Sequence, residues 1–272
     1  MVRGGAGPPV LLLHGYPQTH AMWHRVASLL AESFTVVATD LRGYGDSSKP
    51  EGDFEHATYS KRAMSRDQVE VMEALGFESF VVVGHDRGAR VGHRMALDHP
   101  DRVERLAALD IVPTRHIFET VGKELATAYY HWFFLIQHRE LPERLIGADP
   151  AYYLRWTLGR YGADLDIFAP EALAEYERCF RDPATIHANC EDYRAAASID
   201  LVHDEADRGR KLRCPLLLLW GARGAMHDLY DVENVWREYA EDVRGKPLDA
   251  GHYLAEERPE ETSRELTSFL RS

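Results

Sequence analysis

Short, mostly apolar runs recur along the chain, and each is closed by a turn signal. They are Val10–Leu13 before His14-Gly15, Thr35–Ala38 before Asp40 and Phe80–Val83 before Gly84, then Leu106–Ile111 before Pro113 and Pro215–Trp220 before Gly221. Runs of this length without apolar/polar alternation fit strands of a parallel sheet covered on both faces. Between them the apolar positions take helical spacing, over Trp23–Ala31, Ser60–Leu75, Arg90–His99 and Val232–Tyr239. Strand alternating with helix predicts an α/β fold built on a mostly parallel sheet, with helices on both faces.

The alternation stops between about Thr114 and Arg210. That stretch reads as several helices and is dense in aromatics, among them Tyr129, Tyr130, Trp132, Phe133, Phe134, Tyr152, Tyr153 and Trp156. The expected division is therefore a core of residues 1–113 and 211–272, with 114–210 inserted as a helical cap. An α/β sheet holds its ligand outside the carboxyl ends of its strands, so an insert at that edge would act as a lid. The polar run His203–Lys211 reads as a solvated connection back to the core.

Composition narrows the class. The 272 residues are 45% hydrophobic and 28% charged, ordinary for a globular chain and against disorder. The 32 Lys and Arg against 44 Asp and Glu leave a net charge of −12, which repels a phosphate backbone and argues against nucleic acid. An anionic substrate would need a local group of arginines to capture it. No apolar run approaches the roughly 18 residues of a membrane span, and Met1–Gly7 has no signal-peptide core. Three cysteines, Cys179, Cys190 and Cys214, form neither a disulfide framework nor a zinc ribbon. Unpaired thiols in a reducing cytoplasm are expected. His20 and His24 have helical spacing, but with no third ligand nearby, neither metal nor cofactor is expected.

The most informative segment is Phe80-Val-Val-Val-Gly84-His85-Asp86-Arg87-Gly88-Ala89-Arg90. Glycines two before and two after a central residue, following an apolar strand, allow the sharp strand-to-helix turn that exposes a nucleophile. Its centre here is Asp86, where an esterase has serine. A carboxylate needs no activating base, and its natural reaction is displacement at a saturated carbon, leaving an ester. Asp is also a favoured helix cap, so the frame around Asp86 carries the reading.

Hydrolysis of that ester calls for a base late in the chain. His252, in Leu248-Asp249-Ala250-Gly251-His252-Tyr253, follows a short strand and precedes a terminal helix. A carboxylate should orient it. Asp110 closes a strand, whereas Asp228 lies in a longer loop after Gly221, so strand-end placement favours Asp110. Arg90 follows Asp86 by one helical turn and Arg87 adjoins it. Two guanidinium groups at a helix N-terminus suit a carboxylate. Arg94, a turn further on, reads as structural.

With these residues in place the sequence resembles the haloacetate (fluoroacetate) dehalogenases of the α/β-hydrolase superfamily. The matching segments are His14-Gly-Tyr-Pro-Gln18, Asp40-Leu-Arg-Gly-Tyr-Gly-Asp-Ser47, Gly84-His-Asp-Arg-Gly-Ala-Arg90, Leu109-Asp-Ile-Val-Pro113, Tyr130-His-Trp132, Cys190-Glu-Asp-Tyr193 and Gly251-His252. The resemblance implies Asp86 as nucleophile, His252 as base and Asp110 as its partner. It implies Arg87 and Arg90 on the substrate carboxylate, and His131, Trp132 and Tyr193 as donors to the departing halide. Tyr16 and Arg87 would supply the backbone N–H groups of an oxyanion hole. The implied substrate is a small haloacid anion, the implied assembly a homodimer. The Asp40–Ser47 turns read as structural, with Asp40 and Arg42 as internal partners. Family members carry two further strands ahead of Val10–Leu13, so the first hairpin is expected to be missing.

Epoxide hydrolases and haloalkane dehalogenases share an aspartate nucleophile, but Arg87 and Arg90 disfavour both. A hydrolase-fold receptor without turnover would be expected to lack one of Asp86, His252 and Asp110.

Overall fold

A computed structural model describes residues 1–160 and 164–272. Seven strands form one sheet: β1 (Val2–Gly4), β2 (Pro9–Leu13), β3 (Thr35–Thr39), β4 (Phe80–His85), β5 (Val103–Leu109), β6 (Leu216–Gly221) and β7 (Val243–Leu248). Their order is β1-β3-β2-β4-β5-β6-β7. All neighbours run parallel except β1, which pairs antiparallel with β3, Val2 opposite Ala38 and Gly4 opposite Val36. Ahead of β2 stands the single strand Val2–Gly4, which pairs at the sheet edge with β3 and forms no hairpin with β2. Its three residues are all exposed and show none of the apolar run that marks the other strands.

β3, β4 and β6 are buried along their whole length, and β2 is buried from Val10 to Leu13. At the other edge, β7 exposes Arg244 and Lys246, side chains that discourage edge-to-edge pairing. Helices Lys61–Ala74 and Arg87–Asp98 pack on each other, as do His24–Leu30 and Pro259–Leu270. Ser60 caps the first by accepting from the Ala63 N–H. The helix expected from Arg90 begins at Arg87, because the turn at Asp86 leads straight into it.

Between β5 and β6 the described residues form a run of helices, from Thr114–Thr120 to Ile199–Ala206, and an isolated bridge from Leu212 to Ala240. The run His203–Lys211 is not simply a solvated connection. Arg94, nearly buried, pairs with Asp204 at 2.9 Å and Asp207 at 2.5 Å, and so ties this run to the core. Within the Asp40–Ser47 turns the Ser47 hydroxyl donates to the Asp40 carbonyl at 2.7 Å; the Asp40 carboxylate also accepts from the His20 ring and backbone at 2.8 Å, whereas Arg42 grips Asp67, outside the segment.

Candidate active site

Four strand ends supply the core half of the site. At the end of β4 the chain turns so sharply that Asp86 sits at φ 44°, a left-handed value rare outside glycine. A Cβ on Gly84 would lie 2.5 Å from the Ala89 backbone, and one on Gly88 would run into the Leu13 carbonyl. The glycines thus let β4, the loop after β2 and the new helix meet at one point. The Asp86 N–H donates to the Leu109 carbonyl at 3.2 Å, and its own carbonyl starts the helix by accepting from Ala89 and Arg90. The Asp86 Oδ2 accepts the Tyr16 backbone N–H at 3.1 Å.

Asp110, the residue just beyond β5, also adopts a left-handed φ, 53°. Its N–H donates to the Leu219 carbonyl, and its Oδ1 accepts the Gly221 N–H at 2.9 Å. That leaves Oδ2 for the Nδ1–H of His252, 2.6 Å away. Asp228, the other sequence candidate, is exposed on the short helix Ala225–Leu229. His85, absent from the sequence-derived set, holds the loop from behind: its Nε2–H donates to the His252 carbonyl at 2.8 Å. Burial drives its pKa down to about 3, so it stays neutral.

The electrostatics divide these groups. Burial alone would raise the Asp86 pKa, but His252, Arg90 and Arg87 outweigh it and hold the carboxyl below its ordinary value. Burial would lower His252, yet the bond and charge of Asp110, with the charge of Asp86, raise it above the usual imidazole value. With Nδ1–H committed to Asp110, Nε2 is the nitrogen left to exchange a proton.

The helices between β5 and β6 supply the other half. His131 and Trp132 lie on Tyr130–Leu135, Tyr193 on Pro183–Ala196, and all three are buried. The His131 ring stacks on Tyr16 at 5.7 Å and meets Tyr193 edge-on at 5.4 Å. Burial holds His131 neutral, its pKa down at about 3. The Arg90 guanidinium lies over Trp132 at 4.6 Å and that of Arg87 over Tyr193 at 4.2 Å. All eight side chains singled out in the sequence, together with the Tyr16 backbone, are brought together here.

The two arginines differ. Arg90 spends Nη1 on the Val112 carbonyl and the Thr114 hydroxyl, and burial pulls its pKa to about 10, which leaves it charged. Arg87 is fully buried and bound through Nε and Nη2 to Asp192, whose charge keeps its pKa well above the ordinary value against the pull of burial. Each of the two arginines expected at a substrate carboxylate is thus held by protein partners through part of its guanidinium. Arg87 Nη1, Arg90 Nε and Trp132 Nε1 are the buried donors in this group with no hydrogen-bond partner among the described residues.

Sequence reasoning also passed over Glu256. It is buried four residues after His252, with Oε1 accepting the Tyr176 hydroxyl at 2.6 Å, and Tyr176 belongs to helix Pro170–Phe180. Burial pushes its pKa up to about 7, and Tyr176 and Arg25 pull it back only in part. His20 turns to Asp40, whereas His24 turns to the Ala21 carbonyl, and the described residues contain no group of three or more metal-ligating side chains. None of their helices is long and apolar enough to cross a membrane.

A strand-ended aspartate elbow, a His–Asp pair and a helical cover define a hydrolase-type site. The sequence model of the alpha/beta hydrolase fold matches residues 8–259, and the chain belongs to that family. It is 52% identical to a fluoroacetate dehalogenase of Burkholderia sp, over 99% of this chain and 89% of that protein. It is 36% identical to a soluble epoxide hydrolase of Corynebacterium sp. (strain C12), over 95% of this chain and 88% of that one. Among solved structures, a protein of Nostoc sp PCC 7120 described as an alpha/beta hydrolase superposes with a TM-score of 0.98. It is 62% identical and aligned over 99% of this chain and 92% of its own.

Proposed function

We propose that this chain hydrolyses the carbon–halogen bond of haloacetates, fluoroacetate and chloroacetate among them, releasing halide and glycolate. Arg87 Nη1 and Arg90 hold the substrate carboxylate beside Asp86. A carboxylate oxygen of Asp86 attacks the α-carbon in line with the halogen, and the carbon–halogen pair departs as halide toward His131, Trp132 and Tyr193. Those donors matter most for fluoride, a basic ion that leaves poorly without hydrogen bonds.

The product of this step is a glycolyl ester of Asp86. Esterification removes the Asp86 charge, one of the causes that raise the His252 pKa, so the imidazole gives up its proton more readily. Nε2 then takes a proton from water, which attacks the ester carbonyl. The Tyr16 and Arg87 N–H groups steady the oxyanion, and collapse returns the Asp86 carboxylate. Glycolate leaves with an oxygen that began on Asp86.

What supports this reading most is the set of unpartnered buried donors on Arg87, Arg90 and Trp132, gathered where an uncharged substrate would have no use for two guanidinium groups. The 52% identity to a fluoroacetate dehalogenase agrees with it. The test is halide and glycolate release from fluoroacetate and chloroacetate, beside Asp86→Asn and an epoxide. Fluoride and chloride release that drops by about 10⁴-fold or more in Asp86→Asn is expected. Epoxide opening without halide release would move the assignment to the epoxide hydrolases, which the Corynebacterium relative represents.

In the same reading, residues 114–210 are a cap on a core of 1–113 and 211–272. We further infer a homodimer in the cytoplasm, where three unpaired cysteines are at home. Light scattering of the intact chain checks the assembly.

A further inference from the structure

The proposed reaction has no step for Asp192, yet Asp192 is the most heavily bonded carboxylate near the site. It is fully buried on helix Pro183–Ala196, one residue before Tyr193. Its Oδ2 accepts from Arg87 Nε at 2.8 Å and from the Tyr44 hydroxyl at 2.7 Å. Its Oδ1 accepts from Arg87 Nη2 at 2.7 Å and from Lys61 Nζ. Its main-chain carbonyl takes a further bond from Arg87 Nη2 at 2.8 Å. Lys61 in turn stands 3.4 Å from Asp200, so positive and negative groups alternate from Arg87 to Asp200.

Charges buried this deeply are tolerated only when paired and fully hydrogen-bonded. A two-pronged carboxylate bond with a third contact to the adjoining carbonyl also fixes the plane and rotation of the guanidinium. On that guanidinium lies the ring of Tyr193, 4.2 Å away. The group that clamps Arg87 is thus the chain neighbour of the tyrosine placed beside the halide. Adjacent residues of one helix thus hold the same guanidinium from two sides.

We infer that Asp192 is a positioning residue: by clamping Arg87 to the helix that carries Tyr193, it fixes the spacing between the carboxylate seat and the halide donors. Lys61, between Asp192 and Asp200, is its second cationic partner and holds the far side of the clamp. The inference rests on the haloacetate reading above. In a haloacetate, carboxylate and halogen sit on adjacent carbons, so a small error at one end misplaces the other. Fluoride feels that error most, because its departure depends on close donors, whereas bromide leaves readily without them.

The test compares kcat/KM for fluoroacetate with that for bromoacetate in wild type, Asp192→Asn and Asp192→Glu. A ratio taken within one preparation does not depend on how much of it is folded, and a purely structural role would leave it unmoved. Asp192→Asn keeps the shape but weakens the clamp, and the fluoro-to-bromo ratio falls about tenfold or more. If the buried imbalance prevents Asp192→Asn from folding, Asp192→Glu decides. It keeps the charge, displaces the guanidinium by a methylene and lowers the ratio in the same direction. A ratio within about twofold of wild type in the folded variant overturns the inference. Wild type that releases neither fluoride nor bromide fails the haloacetate reading itself, a result distinct from an active wild type with an unmoved ratio.

Discussion

The strand-end half of the site, on the proposed core, and the half from the helices between β5 and β6, the proposed cap, are held in place by different means. On the core side the backbone does most of the holding. Asp86 and Asp110 both sit at left-handed φ, each with its N–H bonded to a neighbouring strand, and Asp110 is bonded again by the Gly221 N–H. On the cap side, ring packing and side-chain ion pairs do the same work, with Trp132 against Arg90, His131 against Tyr16, and Asp192 gripping Arg87. Backbone-held groups tolerate little adjustment, and in the proposed reaction they carry the steps common to every haloacetate. Side-chain-held groups can drift by fractions of an ångström, and in that reaction they would set how well a particular halogen is accepted. Core variants should therefore lose all substrates alike, whereas cap variants should sort them by halogen.

The harshest way to press that comparison is at His252. With Asp86 intact and the base removed, His252→Gln should release one halide per active site and then stall, with turnover down by about 10³-fold or more. Mass spectrometry should find a carboxymethyl group on Asp86. Steady turnover with no burst would show that the ester is cleaved without the imidazole.

On the cap side, Trp132→Phe keeps most of the ring and deletes its N–H donor. Fluoroacetate turnover should fall by about 100-fold. Bromoacetate should fall far less, as steady-state kinetics on both would read. An equal loss on both substrates would erase the distinction between the halves.

A smaller effect is expected where the halves are joined, at Glu256 and Tyr176. The folded pKa of Glu256 is about 7, above the ordinary 4.5, so the folded protein holds a proton that the unfolded chain has already released. The contribution is full below about pH 4.5 and is lost as pH rises through 7. By pH 8 this loss is about 3 kcal/mol at most. Glu256→Gln should melt like wild type at pH 5 and several degrees higher at pH 8. Parallel melting curves at both pH values would show that Glu256 titrates normally.

Much of the core half was legible in the sequence because its determinants are local. The apolar run Phe80–Val83, the flanking glycines and the strand-end position of Asp110 each declare themselves within a few residues. The edge strand Val2–Gly4 was not legible, since three exposed residues carry no pattern of burial. The partners of Arg87 and Arg94 were hidden for another reason. Asp192 is 105 positions from Arg87, and Asp207 is 113 from Arg94, so only the docking of distant helices pairs them. Asp192 did stand inside the matched Cys190-Glu-Asp-Tyr193 segment, beside a residue singled out for the halide. Its own role needed the contact to be seen. His85 and Glu256 were overlooked similarly, as buried neighbours of residues whose chemistry was more conspicuous.

In the proposed reaction Asp86 attacks carbon and is then regenerated by water. A single turnover of chloroacetate in ¹⁸O-water, with enzyme in excess, tests it most directly. Unlabelled glycolate is expected from that first turnover, with the heavy oxygen retained on Asp86. Glycolate labelled in its hydroxyl from the first turnover would mean that water attacks the α-carbon itself, and Asp86 would then be no nucleophile.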